Sequence, residues 1–338
     1  MFRFLADEAG LGRAGALKAM DGYAPLAKYS VERKLAPRHK FLVVGAGLGR
    51  KMAAKAIARL PKVLGYSVRK NVAPAVRYLV EELGLGRDGA AKVITMFPRV
   101  LGLSVEYNIA PKVRYLEEEL GLGRDGAAKF ITKFPSVLSL SVEYNIEPKV
   151  RGLAQELGLG RDGAVTVITK CPQVLGYSVD DNIVPKVRYL EELGLGRDGA
   201  VTVITKYPSV LRFSIEQNLA PKVIYLEEEL GLGRDGAVKV VARCPQVLGM
   251  SVEENIAPKV KFLAEEAGAG REGAAEIIFA CPALLRLSIE RKLRPTLHFV
   301  EDNFPDTSLA VTMHLATCSL AGRLMPRVRL LQRWGSAG

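Results

Sequence analysis

The seven residues GLGRDGA stand at 84–90 and return at 121, 158, 194 and 231. Looser copies, GLGRAGA at 10, GLGRKMA at 47 and GAGREGA at 268, hold the same register, so successive starts lie 37, 37, 37, 37, 36, 37 and 37 residues apart. Two proline series keep step. One follows a mostly apolar residue, at Pro61, Pro98, Pro135, Pro172, Pro208, Pro245 and Pro282; the other comes thirteen residues later, at Pro74, Pro111, Pro148, Pro185, Pro221, Pro258 and Pro295, with Pro37 ahead of them. A period of this length is the mark of stacked supersecondary units, each burying its apolar face against its neighbours. It overrides the two-domain division that 338 residues alone would suggest.

Residues 111–147 show what one unit contains. Pro111 suits the first turn of a helix, and Val113, Leu116 and Leu120 follow on one face; this is helix A, ended by Gly121. Asp125 is placed to cap helix B, which carries Ala127, Ala128, Phe130, Ile131 and Phe134 and stops at Pro135. The remaining segment around Ser141-Val142-Glu143 reads as a capped single turn of 3₁₀ type. The expected fold is therefore all-α: an α-solenoid of about eight 37-residue repeats, each two helices plus a short 3₁₀-like turn. The array is expected over 1–303. A degenerate capping half-repeat with a basic tail is expected over 304–338, where Cys318, Arg323, Arg327, Arg329, Arg333 and Trp334 fall.

A glycine-rich loop cradles phosphate when it joins a strand to a helix, and these loops join helix to helix. Even FLVVGAGLGRK at 41–51, which follows an apolar run, has Arg50 where a dinucleotide fingerprint needs its third glycine. The glycines are read as corners. Cys171, Cys244 and Cys281 occupy a slot that other repeats fill with Leu, Phe or Tyr, so they are expected to be core thiols rather than metal ligands. Neither a cofactor nor a metal is expected, and no carboxylate pair or Cys/His pair suggests an enzyme. The apolar runs are too short to span a membrane.

Charge points to a partner. The net charge is +12, and residues 37–73 contribute nine basic side chains and no acid. Lys51, Lys55 and Arg59 recur at i, i+4 and i+8 on one face of helix B, with Arg50 and Lys62 beside them. Lys92, Lys129 and Lys239 take the place of Lys55 in other repeats, and Lys133, Lys170, Lys206 and Arg243 that of Arg59. Thr95, Thr132, Thr169 and Thr205 lie on the same stripe. Stacking aligns such positions into a basic track suited to a phosphate backbone. The corner arginines Arg87, Arg124, Arg161, Arg197, Arg234 and Arg271 flank the positive end of helix B, where either a phosphate or the adjacent Asp is a fitting partner. Acids gather late in helix A, as in Glu117, Glu118 and Glu119. The competing readings are a merely solvated charged face and a protein-binding scaffold that uses the acidic track. Tyr78, Tyr115, Tyr189 and Tyr225 are expected in the core.

The markers FPSVL (134–138) and CPQVL (171–175), followed by S[VI]E, Asn, PK, YL and LGL at fixed spacing, resemble the mitochondrial transcription termination factor (mTERF) family over nearly the whole chain. The resemblance implies a curved array of helical units that binds nucleic acid in mitochondria or plastids and acts in transcription, RNA maturation or ribosome assembly. Duplex DNA is the first expected ligand and structured RNA the second, with the protein acting as a monomer. The chain opens at MFRFLADEAGLGR, already within a helix A, and shows no targeting presequence, so the organellar expectation rests on the resemblance.

Overall fold

The computed structural model describes residues 1–317 and Met325, and among these every regular element is helical. The repeat centred on 104–140 shows why. Ser104 is extended and its Oγ accepts the Tyr107 N–H at 3.2 Å, which starts helix A over 105–119. The first turn is wide, with the Ile109 N–H reaching the Ser104 carbonyl at 3.0 Å. This five-residue step lies immediately before Pro111, which has no N–H to give and whose ring crowds the preceding turn of a regular α-helix. The last turn is wide as well: the Leu120 N–H reaches the Tyr115 carbonyl at 2.9 Å. Gly121 and Gly123 then take φ of 65° and 62°. Helix B runs Gly123–Lys133, and a 3₁₀ turn at Pro135–Ser139 leads by extended residues to Ser141, the next cap.

Three expectations change. Helix A begins six residues before its proline, because the Ser-Val-Glu segment is its capped first turn rather than a separate 3₁₀ element. The 3₁₀ turn sits instead on the Pro-x-Val-Leu segment that follows helix B. Asp125 is not a cap: Leu122 holds that position without a side-chain bond, and Asp125 stands in the first turn of the helix.

The core is built from the positions that the pattern marks. Val113, Leu116 and Leu120 of helix A, Ala127, Phe130 and Ile131 of helix B, and Val137 and Leu138 of the 3₁₀ turn are all buried. Burying such side chains contributes about 1.5–3 kcal/mol for each large one. Cys171 and Cys244 are buried and Cys281 half-buried, and burial pushes the Cys244 and Cys281 thiols above their ordinary value, as core thiols require. Tyr78 and Tyr225 are buried, while Tyr115 and Tyr189 are half-buried.

The chain forms two compact units, Met1–Val150 and Arg151–Gly338. In the first, helix B at Gly49–Arg59 packs on Gly86–Met96, and that on Gly123–Lys133. In the second the same succession runs through Gly160–Lys170, Gly196–Lys206, Gly233–Arg243 and Gly270–Ala280. The single 36-residue spacing is visible as a helix A one residue short: its corner glycine, Gly194, takes φ of 112°, against 61–77° at its counterparts. The helix Leu309–Ala316 packs on Arg294–Asn303 and on Gly270–Ala280 at the end of the second unit. Cys318, Arg323, Arg327, Arg329, Arg333 and Trp334, assigned to the cap and its tail, lie outside the described residues.

Candidate nucleic-acid interface

Helix B has two unlike faces. In Gly49–Arg59, Ala53, Ala56 and Ile57 are buried, and Lys51, Lys55 and Arg59 project from the exposed side. Each nominated basic residue is exposed: Arg50 and Lys62 in this repeat, Lys92, Lys129, Lys133, Lys170, Lys206, Lys239 and Arg243 on later helices B, and the corner residues Arg87, Arg124, Arg161, Arg197, Arg234 and Arg271. The threonines of the stripe are turned inward. Thr95, Thr132, Thr169 and Thr205 donate to the carbonyl four residues back, at 2.7, 2.8, 2.7 and 2.8 Å.

Many of the cations hold neighbouring repeats together. At the end of helix B, Arg59 donates to the Thr95 and Met96 carbonyls at 3.1 and 2.7 Å, Lys170 to Thr205 at 3.0 Å and Arg243 to Phe279 at 3.1 Å. Each acceptor is a C-terminal carbonyl of the next repeat's helix B, where a cation also meets the negative end of the helix dipole. Lys239 and Arg243 lie over the Phe279 ring, 5.9 and 5.5 Å from its centroid. The corner arginines reach the other way. Arg234 bonds the Glu192 carbonyl of the preceding helix A at 3.1 Å and pairs with Glu227 at 3.0 Å. Arg197 does the same with the Glu156 carbonyl and Glu191, and Arg271 reaches the Glu229 carbonyl. Their carboxylate partners come from helix A rather than from the adjacent Asp.

The sequence reading missed a third class. Lys186, Lys222 and Lys259, each directly after the helix A proline, are buried. Lys186 donates to Asn182 Oδ1 at 2.6 Å and to the Leu211 carbonyl at 2.9 Å, Lys222 to the Asn218 carbonyl at 2.9 Å and Lys259 to the Asn255 carbonyl at 3.2 Å. Burial pushes all three ammonium groups below their ordinary value. In the basic repeat Arg38 plays this part, bonding the Leu64 carbonyl at 2.6 Å. An Asn four residues before each of the three lysines was the available signal.

What is left concentrates in the first unit. Among the described residues, no hydrogen bond or ion pair within the protein engages Arg50, Lys51, Lys55, Lys62, Lys92 or Lys129. These exposed side chains, four of them in the acid-free stretch 37–73, are cations available to an anion. At the corners themselves, a Cβ on Gly121 or Gly123 would meet nothing within 4 Å, so the left-handed backbone, not ligand clearance, accounts for glycine there.

Among the described residues no group of His, Cys, Asp or Glu is placed to hold a metal ion, and no helix is long and apolar enough to cross a membrane. Stacked helix pairs, tied across repeats by cations and carrying an exposed basic face, define a helical-repeat scaffold. The family model described as mTERF matches residues 46–337, and the chain belongs to the mTERF family. No curated protein matches the sequence significantly. Family membership places the chain among helical-repeat proteins of organellar gene regulation.

Proposed function

We propose that this protein binds the phosphate backbone of duplex DNA through the exposed face of helix B and regulates gene expression in a mitochondrion or plastid, at transcription termination or another step of transcription. The observation that carries the reading is the acid-free repeat 37–73, whose Arg50, Lys51, Lys55 and Lys62 are exposed and unpaired. Arg59, Lys170, Arg243 and the corner residues Arg197, Arg234 and Arg271 act first as inter-repeat ties and only secondarily as phosphate contacts. Lys92, Arg124 and Lys129 extend the free face within the first unit, and Lys133, Arg161, Lys206 and Lys239 are the remaining candidates. Backbone contacts of this kind fix position without reading sequence.

The test is retention on random-sequence duplex DNA across a salt series, with structured RNA in parallel. Each phosphate neutralised on duplex DNA contributes about 0.9 to the slope of log K against log salt. Changing Lys51, Lys55 and Lys62 together to Gln is expected to lower that slope by about 2.7 and to leave the fold intact. Stronger retention on structured RNA would move the assignment to RNA maturation or ribosome assembly. A slope near zero on both would point to the protein-scaffold reading instead.

A further inference from the structure

In the first unit a cleft of about 440 Å³ opens between the end of one helix A and the length of the next, with none of the helix B lysines in its lining. That size falls within the range of roughly 300–1,000 Å³ usual for small-ligand sites. Its charged lining is Arg69, Arg77 and Arg87 with a single acid, Glu81, and Phe41 and Val80 supply apolar wall. Among the described residues none of the three guanidinium groups makes a hydrogen bond or ion pair with the protein.

The charge of this cleft departs from the repeat. At the register of Arg69 the other repeats from 106 onward place Glu106, Glu143, Asp180, Glu216, Glu253 and Glu290. The corner arginine Arg271 is held by the carbonyl of Glu229, with Glu228 and Glu229 lining the cleft around it. The counterparts of those two acids beside Arg87 are Val44 and Gly45. This corner has therefore gained a cation, lost the two acids that line the Arg271 cleft, and carries Val80 where Arg234 has its carboxylate partner Glu227. Three arginines against one carboxylate leave two positive charges facing one opening.

We propose that this cleft is a phosphomonoester site, in which Arg69, Arg77 and Arg87 hold a terminal phosphate and the Phe41–Val80 wall takes the apolar face of the group attached to it. A phosphomonoester carries a charge of about −1.5 to −2 at neutral pH, which matches the surplus, whereas a backbone phosphodiester carries only one negative charge. Guanidinium groups bind such oxygens in bidentate fashion. The chemistry has two sources, a free nucleotide and the 5′-phosphorylated end of a strand. The inference does not depend on the helix B reading.

The probes are adenosine 5′-monophosphate against adenosine, and one single-stranded oligonucleotide with and without its 5′-phosphate, each titrated by calorimetry. Two variants substitute what other repeats already hold at the same register: Arg69→Glu, as in Glu106, and Arg77→Ile, as in Ile224. If the source is free nucleotide, the monophosphate binds, adenosine does not, and each variant weakens binding at least tenfold. If it is a strand end, the monophosphate gives no heat while the 5′-phosphate strengthens oligonucleotide binding several-fold, and the variants erase that difference. Monophosphate binding that is absent or indifferent to both variants, together with no effect of the 5′-phosphate, overturns the proposal. The Lys51, Lys55 and Lys62 triple variant keeps the 5′-phosphate difference even where it loses backbone affinity, so the two readings fail separately.

Discussion

Left-handed backbone falls on glycine alone among the described residues, two to a corner, and this gives the corner its energetics. Gly121→Ala has room for its methyl group but not the conformation, and is expected to cost about 1–2 kcal/mol in urea unfolding while leaving DNA retention unchanged. Loss of retention without loss of stability would make the corner a ligand site. Ser141→Ala removes a real cap, since Ser141 Oγ accepts the Tyr144 N–H at 3.1 Å, and is expected to cost about 1 kcal/mol. Asp125→Ala touches only the first-turn dipole and should cost about 0.3–1 kcal/mol. The sequence reading marked the Ser141 segment as capped but misassigned Asp125, because Asp is also a good cap and its role depends on where the glycine turn releases the chain. Burial also leaves a pH signature. It pushes the phenols of Tyr78, Tyr189 and Tyr225 above the usual 10.0. The unfolded chain ionises these groups first, so their contribution is full below pH 10.0 and is lost as pH rises through the folded-state values. Urea midpoints at pH 9 and 11 should fall less steeply for Tyr225→Phe than for the parent.

Helices in this chain are tied at their ends by residues one repeat away. Register and apolar period made the existence of helices A and B legible, and with them the buried positions Val113, Leu116, Phe130 and Ile131. The ties were not legible. Lys170 and Arg234 look alike in sequence to solvated cations, and only the spacing of stacked helices brings a carbonyl within 3.0 Å of one and 3.1 Å of the other. A third of the predicted basic residues, Arg59, Lys170, Arg197, Arg234, Arg243 and Arg271, are therefore structural first. Arg243→Ala is expected to cost about 0.3–1 kcal/mol, a modest sum because the side chain is exposed. Its location is the sharper test: amide exchange should quicken in the last turn of Gly270–Ala280, not in Gly233–Arg243, where the substitution lies. Protection lost only in the substituted helix would contradict the tie.

Within each unit, order is propagated by neighbour contacts, and a deletion can respect or break them. Removing residues 74–110, one whole period inside the first unit, should leave a cooperatively folding chain, because Arg59 would then meet the carbonyls around Thr132 and Lys133 as it now meets Thr95 and Met96. Removing 74–91 brings a helix A opposite the wrong partner and is expected to abolish cooperative unfolding by circular dichroism. Equal damage from both would argue against nearest-neighbour stabilisation. The ties carry one more implication, for heredity rather than for stability. Since donor and acceptor lie one period apart, a coding-sequence duplication of one unit arrives with both seams already matched, and the array can lengthen or shorten without inventing a contact. The acid-free unit is the exception, because its worth lies in being unlike its neighbours, and copying would dilute it.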